Sequence, residues 1–226
     1  MINSVARAII EIFQSEVFVE TGILDGETAR IVRRWFKELP LFEVDVEKTC
    51  CDKVRRLLDG DSKAQVVISD SVKFLRENLA VLAQKKNPFF YLDAHWGGPN
   101  PDSESDVAPD RAQTVWNQGA KARNTYWPLR DEISTVTGIE KCVVAIDDFK
   151  TPGKWYGFDQ YGVNECSVEY IQDLIEHRTD CVFYAANCNV DGRGCGFVFP
   201  GYRENHLDCL LAGLPLIKQR LKSIST

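Results

Sequence analysis

The sequence predicts an α/β sandwich in which a mostly parallel sheet carries helices on both faces. Five short apolar runs each end in acid: Phe18-Val19-Glu20, Leu41-Phe42-Glu43-Val44-Asp45, Val66-Val67-Ile68-Ser69-Asp70, Phe89-Phe90-Tyr91-Leu92-Asp93 and Val143-Val144-Ala145-Ile146-Asp147-Asp148. Stretches of helical periodicity separate the first four, and repetition of strand, helix, strand with right-handed crossovers forces a parallel arrangement. Near the C terminus two further apolar runs flank the turn signal Asp191-Gly192, which predicts an antiparallel hairpin. In such a sheet the acids collect along the carboxyl edge, where open α/β sheets bind their ligands.

Taken in order, Val5, Ile9, Ile12 and Phe13 share one face of an opening amphipathic helix. The strand ending at Glu20 leads through a glycine-bearing loop to a helix over about 27–38, with Ile31, Val32, Trp35 and Phe36 on its buried face. Asp45 is followed by a helical segment containing Val54, Leu57 and Leu58, and Asp70 by another in which Val72, Leu75, Leu79 and Leu82 recur at helical spacing. The regularity stops after Asp93. Residues 97–127, beginning Gly97-Gly98-Pro99-Asn100-Pro101-Asp102, form a stretch long enough to be a lid or substrate loop, with a short helix expected near 111–122; a surface insertion is the alternative. After Asp148 the loop 151–162 alternates aromatics with glycine and can either set flat rings against a substrate or close the sheet edge. A helix near 167–177, strands over 181–185 and 196–199, and a closing amphipathic helix bearing Leu210, Leu211, Leu214, Ile217 and Leu221 complete the expectation.

The chain of 226 residues is long enough to bury a full core, and one domain over 1–226 is expected. A net charge of -6 argues against broad binding to phosphate backbones, so nucleic acid is not an expected partner. No apolar stretch approaches the ~20 residues of a membrane span and the N terminus has no secretory-signal pattern, so the expected compartment is the cytoplasm and no membrane partner is expected. The eight cysteines sit mostly in apolar runs, as Cys142 and Cys181 do, where a reduced thiol acts as a small hydrophobe. The series Cys181, Cys188, Cys195 and Cys209 lacks the paired close spacing of structural zinc sites, while Cys188 and Cys195 are placed for contact across the hairpin.

Chemistry begins at Glu20-Thr21-Gly22-Ile23-Leu24-Asp25-Gly26-Glu27-Thr28. Glycines after a strand let the backbone turn sharply and approach a ligand, and the next helix opens with free amides. A nucleotide-like cofactor suits that combination. A pyrophosphate does not, because the tightly spaced glycines of a dinucleotide fingerprint are replaced here by leucine and aspartate.

The pattern of acid, glycine, three residues and glycine resembles the first motif of class I methyltransferases that use S-adenosylmethionine (SAM). The resemblance implies a Rossmann-like three-layer sandwich with a seven-stranded sheet ending in the antiparallel hairpin. It places Glu20, Gly22 and Gly26 around the amino-acid end of the cofactor, with Thr28 in the same site. Asp45 matches the acid that accepts both ribose hydroxyls, and Asp70 with Ser71 matches the adenine position. Read from the residues alone, Asp70 equally suits a helix cap and Asp45 a solvated strand end.

Leu92-Asp93-Ala94-His95-Trp96 together with Asp147-Asp148 is similar to the metal site of the catechol O-methyltransferase group. That resemblance implies metal ligation by Asp93, Asp147 and Asp148. Oxygen ligands suit magnesium first, with calcium or manganese also compatible. The implied reaction is methyl transfer from SAM to the hydroxyl of a small molecule, with His95 as the base and Asp93 as the other catalytic residue. The match departs from the group in the inserted Ala94, in Asp148 standing for an asparagine, and in the long 97–127 segment. A cofactor-binding module without turnover is the alternative reading. A metal-dependent phosphohydrolase ranks last, since the first strand ends in Glu20-Thr21-Gly22 and offers no nucleophilic aspartate.

Overall fold

The computed structural model describes residues 2–94, 127–161, 164–185 and 192–221. Helix α1 (Ser4–Phe13) is opened by Asn3, whose side chain accepts hydrogen bonds from the amides of Val5 and Ala6 at 2.8 and 3.0 Å. It closes where Gln14 turns left-handed. There follow β1 (Phe18–Thr21), α2 (Glu27–Trp35), β2 (Leu41–Asp45), α3 (Lys48–Leu57), β3 (Ala64–Ile68), α4 (Ser71–Leu82) and β4 (Phe89–Leu92). Beyond these lie α5 (Leu129–Val136), β5 (Val143–Ile146), β6 (Gln160–Tyr161), β7 (Asn164–Glu165), α6 (Val168–Ile175), β8 (Cys181–Ala185), β9 (Gly196–Val198), α7 (Glu204–Leu210) and β10 (Leu216–Arg220).

The main sheet runs β10-β8-β9-β5-β4-β1-β2-β3, and its members from β3 to β5 are parallel. The hairpin strands β8 and β9 pair antiparallel, as expected from the sequence, and β9 joins β5 antiparallel. Both faces of the central strands are buried. Phe18, Phe89, Tyr91 and Ala145 face a layer built by α1, α2 and α7, while Val19, Phe90, Leu92 and Ile146 face α4, α5 and α6.

The tail corrects the sequence expectation. Instead of one closing helix there is the short α7, a left-handed Gly213, and an eighth strand, β10, antiparallel to β8. Pro215 and Gly213 stop the helix, and Leu216, Lys218 and Arg220 alternate with Ile217 and Gln219 along an edge strand. Helix α5 was not expected either, although Leu129, Ile133 and Val136 recur at helical spacing directly after Pro128. It is fixed to α6 by the Arg130–Asp173 pair, bidentate at 2.8 and 2.6 Å, and Trp127 stacks on Tyr170 at 4.5 Å.

Candidate functional site

Strand order reverses between β1 and β4, and a crevice at such a switch point is where open sheets place their ligands. The ladder continues one step past the strands: Gly22 donates to the Val44 carbonyl at 2.9 Å, Asp93 to that of Thr21 at 3.0 Å, and Asp147 to that of Leu92 at 3.1 Å. The glycine turn and two of the acids therefore sit at one level.

Gly22 has φ +78, and a Cβ there would meet the Asp93 carbonyl oxygen at 2.3 Å, so the loop passes against β4 with no room for a side chain. Gly26, also left-handed, opens α2 with no side-chain cap, which leaves the first amides of the helix without a side-chain acceptor. Asp45 accepts from the amides of Ile23 (3.0 Å) and Glu47 (2.8 Å), tying the glycine loop to the end of β2. Burial raises its pKa. Asp70 caps α4 by accepting from the Lys73 amide at 2.9 Å, next to the buried Ser71. The cap reading therefore holds for Asp70, which stands just beyond the carboxyl end of β3.

Glu20 and Thr28 meet beneath this loop rather than in the open crevice. Glu20 is the register partner of Glu43 on β2, and both carboxyls are buried. Burial pushes Glu43 up to about 7, and burial together with Glu43 raises Glu20 well above its ordinary range. Glu43 has no hydrogen-bond partner on either oxygen, and Glu20 has none on Oε2. Ionising both of two such neighbouring buried carboxyls is unfavourable.

The second constellation is also assembled. Asp93, Asp147 and Asp148 each present a carboxylate oxygen, all within 4.8 Å of one another. Among the described residues this trio is the group whose spacing suits a metal ion; of the cysteine series, Cys181 and Cys195 are buried and reduced, and Cys188 lies outside the described residues. Hard oxygen donors at that spacing fit magnesium, calcium or manganese. Asp148 stands in a left-handed conformation, φ 51, and burial followed by repulsion from Asp147 pushes its pKa to about 6.

Sequence reasoning missed Arg193. Its guanidinium pairs with Asp148 through Nε and with Asp159 through Nη2. Its position is fixed by close backbone packing: the Gly157 amide donates to Gly192 at 3.1 Å, the Gly194 amide donates to Gly157 at 3.0 Å, and a Cβ on Gly194 would stand 2.1 Å from the Phe149 carbonyl oxygen. The partners are 45 residues apart in sequence, so no local signal joins them. Trp155, in the aromatic loop, is fully exposed, whereas Phe158 lies under the Lys150 ammonium.

A second missed residue is Glu132, in the first turn of α5, which is 1% exposed on the α4–α6 face. Burial pushes its carboxyl to about 7; the Ser71 and Thr21 hydroxyls beside it lower the value, and Asp70 and Asp93 raise it. His95, Trp96, the expected helix near 111–122 and all of the expected lid except Trp127 lie outside the described residues.

The chain shares its fold with solved methyltransferases. One is the O-methyltransferase TomG from Streptomyces achromogenes, involved in tomaymycin synthesis and solved with SAM: TM-score 0.51, 11% identity, over 85% of this chain and 76% of that one. Another is an O-methyltransferase from Bacillus cereus solved with S-adenosylhomocysteine (SAH): TM-score 0.51, 14% identity, over 86% and 77%. No protein-family model and no curated protein matches the sequence. At this identity the likeness establishes the mostly parallel sheet and its terminal hairpin as a methyltransferase-type fold.

Proposed function

We propose that this chain is a SAM-dependent methyltransferase acting on the hydroxyl of a small molecule with the help of a divalent cation, magnesium first. The observation that carries the reading is the meeting of two sites at one level of the switch point: the glycine turn with the open end of α2, and the acid trio.

In this reading Gly22 and the α2 amides receive the amino-acid end of SAM, Asp45 the ribose hydroxyls, and Ser71 the adenine. Gly22 lets the loop turn tightly against β4 at the head of the crevice, and an anionic carboxylate is suited to the helix N-terminus. Asp93, Asp147 and Asp148 would hold the cation, which supplies Lewis acidity that lowers the pKa of an acceptor hydroxyl. The acceptor oxygen attacks the methyl carbon, the carbon–sulfur bond breaks, SAH leaves, and the hydroxyl proton passes to a base, for which His95 is the sequence candidate.

The acceptor is proposed to be uncharged, such as a phenol or a sugar. Lys150 is paired with Glu165, and Arg193 with Asp148 and Asp159, so these cations at the edge are already engaged. The Arg193 pairing also favours a second reading, methyl transfer without a metal, in which the guanidinium alone offsets the trio.

Titration calorimetry with SAM and SAH tests the cofactor, and transfer of labelled methyl to a panel of neutral hydroxyl compounds tests the reaction. Absence of binding to either ligand overturns the reading. Full turnover in chelator, or after Asp147→Ala, selects the metal-free form.

A further inference from the structure

Glu132 is nearly inaccessible, yet neither of its carboxylate oxygens has a hydrogen-bond partner. The hydroxyls of Thr21, the last residue of β1, and Ser71, the first of α4, stand beside it, but neither makes a hydrogen bond of ordinary geometry with it. The Thr21 Oγ1 is itself buried and unpartnered. Two polar side chains from distant segments thus converge at the carboxyl edge without a well-formed hydrogen bond, whereas buried polar groups are nearly always satisfied.

The character of the missing partner follows from the surroundings. Among the described residues, the charged groups that act most on Glu132 are Asp70 and Asp93, both acidic. An ionised carboxylate accepts hydrogen bonds and donates none, and with acids beside it the donor that completes the site best is one that also carries positive charge. Glu132 is held there firmly, because the Arg130–Asp173 pair and the Trp127–Tyr170 stack anchor its helix two or more residues away.

Building on the methyltransferase reading, we infer that Glu132 binds the cationic methionyl portion of the cofactor, through its sulfonium or its ammonium, and so positions SAM in the crevice. The carboxyl spans from Thr21, beside the glycine turn, to Ser71, beside the adenine position. A cofactor laid along that edge brings its charged middle and amino-acid end over the acid. The residue sits on α5, apart from the glycine loop and the acid trio.

Affinities of wild type and Glu132→Gln for three probes test this by calorimetry: SAM, SAH, and methylthioadenosine, which lacks the amino acid and the sulfonium. A contact with the sulfonium predicts a loss of about ten- to a hundredfold for SAM with SAH unchanged. A contact with the ammonium predicts that loss for both, with methylthioadenosine unchanged. Equal weakening of all three, as from a general disturbance of the fold, overturns the inference, and so does unchanged affinity for all three. If the wild type binds none of them, the methyltransferase reading itself fails, an outcome separate from either.

Discussion

Replacing Glu132 by glutamine should make the protein more stable at alkaline pH and remove part of its pH dependence. The carboxyl titrates near 4.5 in an unfolded chain and near 7 in the fold, where burial disfavours its charge. Below the unfolded value both states are protonated and the group is neutral to stability. As pH rises the unfolded chain releases its proton first, so stability is lost progressively until the folded value is passed. A difference of about 2.5 pKa units, at 1.36 kcal/mol each, sets the full loss at about 3 kcal/mol at pH 8. About a quarter of it has developed at pH 5. A buried glutamine has its own unsatisfied amide, but that cost does not vary with pH and cancels when two pH values are compared. Glu20 and Glu43 titrate in both proteins and cancel likewise. The stability difference between Glu132→Gln and wild type should therefore widen by about 2–3 kcal/mol from pH 5 to pH 8, roughly 5–10 °C in Tm for a chain of this size. Thermal or urea unfolding of the two proteins at both values, without added ligand, measures it. A difference that stays constant from pH 5 to pH 8 would refute the assignment of a raised pKa to this buried carboxyl.

Three further perturbations address the two halves of the site. Gly22→Ala puts a methyl 2.3 Å from the Asp93 carbonyl oxygen in a left-handed conformation, so it should lower stability by about 2 kcal/mol or more and abolish SAM binding; calorimetry and urea unfolding read both effects, and retained affinity would contradict the close passage of the loop. Asp45→Ala removes the acceptor for the Ile23 and Glu47 amides and should cost about 1–2 kcal/mol in urea unfolding even without cofactor; an unchanged midpoint would show that the tie between loop and β2 carries no energy. Arg193→Met withdraws the guanidinium from Asp148, so manganese titrated into the variant should bind about tenfold more tightly than to wild type, while weaker binding would mean that the arginine chiefly orients the aspartate.

Strands β1 to β5 and helices α1 to α4 were legible because their signals are local. Strands buried on both faces read as unbroken apolar runs, and each helix repeats its apolar residues every three to four positions. The C-terminal stretch was misread because Leu210, Leu214, Ile217 and Leu221 satisfy helical spacing as well as strand alternation does. Gly213 and Pro215 were the signals that decide between them. The acid trio was legible because a strand end fixes where an acid goes. Glu43 and Glu132 were not: a glutamate in an amphipathic segment reads as a solvated face, and its burial depends on a strand or helix from elsewhere in the chain. Arg193 reaches Asp148 only because the glycines around it let β9's approach lie flat on the loop after β5.

The groups that escaped notice share one property with those that did not. Glu20, Glu43, Glu132 and Asp148 are all held above the ordinary carboxyl range, and in each the first cause is burial. Even with Arg193 on Asp148, these buried groups work against folding, since each unit of raised pKa is about 1.4 kcal/mol of stability forgone once the pH exceeds it. A sequence that retains this arrangement gains from ligands that bring positive charge, and the proposed reaction supplies two, a divalent ion and a sulfonium. They are not equivalent over a turnover. The ion keeps its charge, whereas methyl transfer turns the sulfonium into a neutral thioether. An acidic edge close to that sulfur would thus favour SAM over SAH and ease release of the product. Glu132, the carboxylate inferred to meet the cofactor, would in this way both weaken the fold and help to clear the site after each transfer.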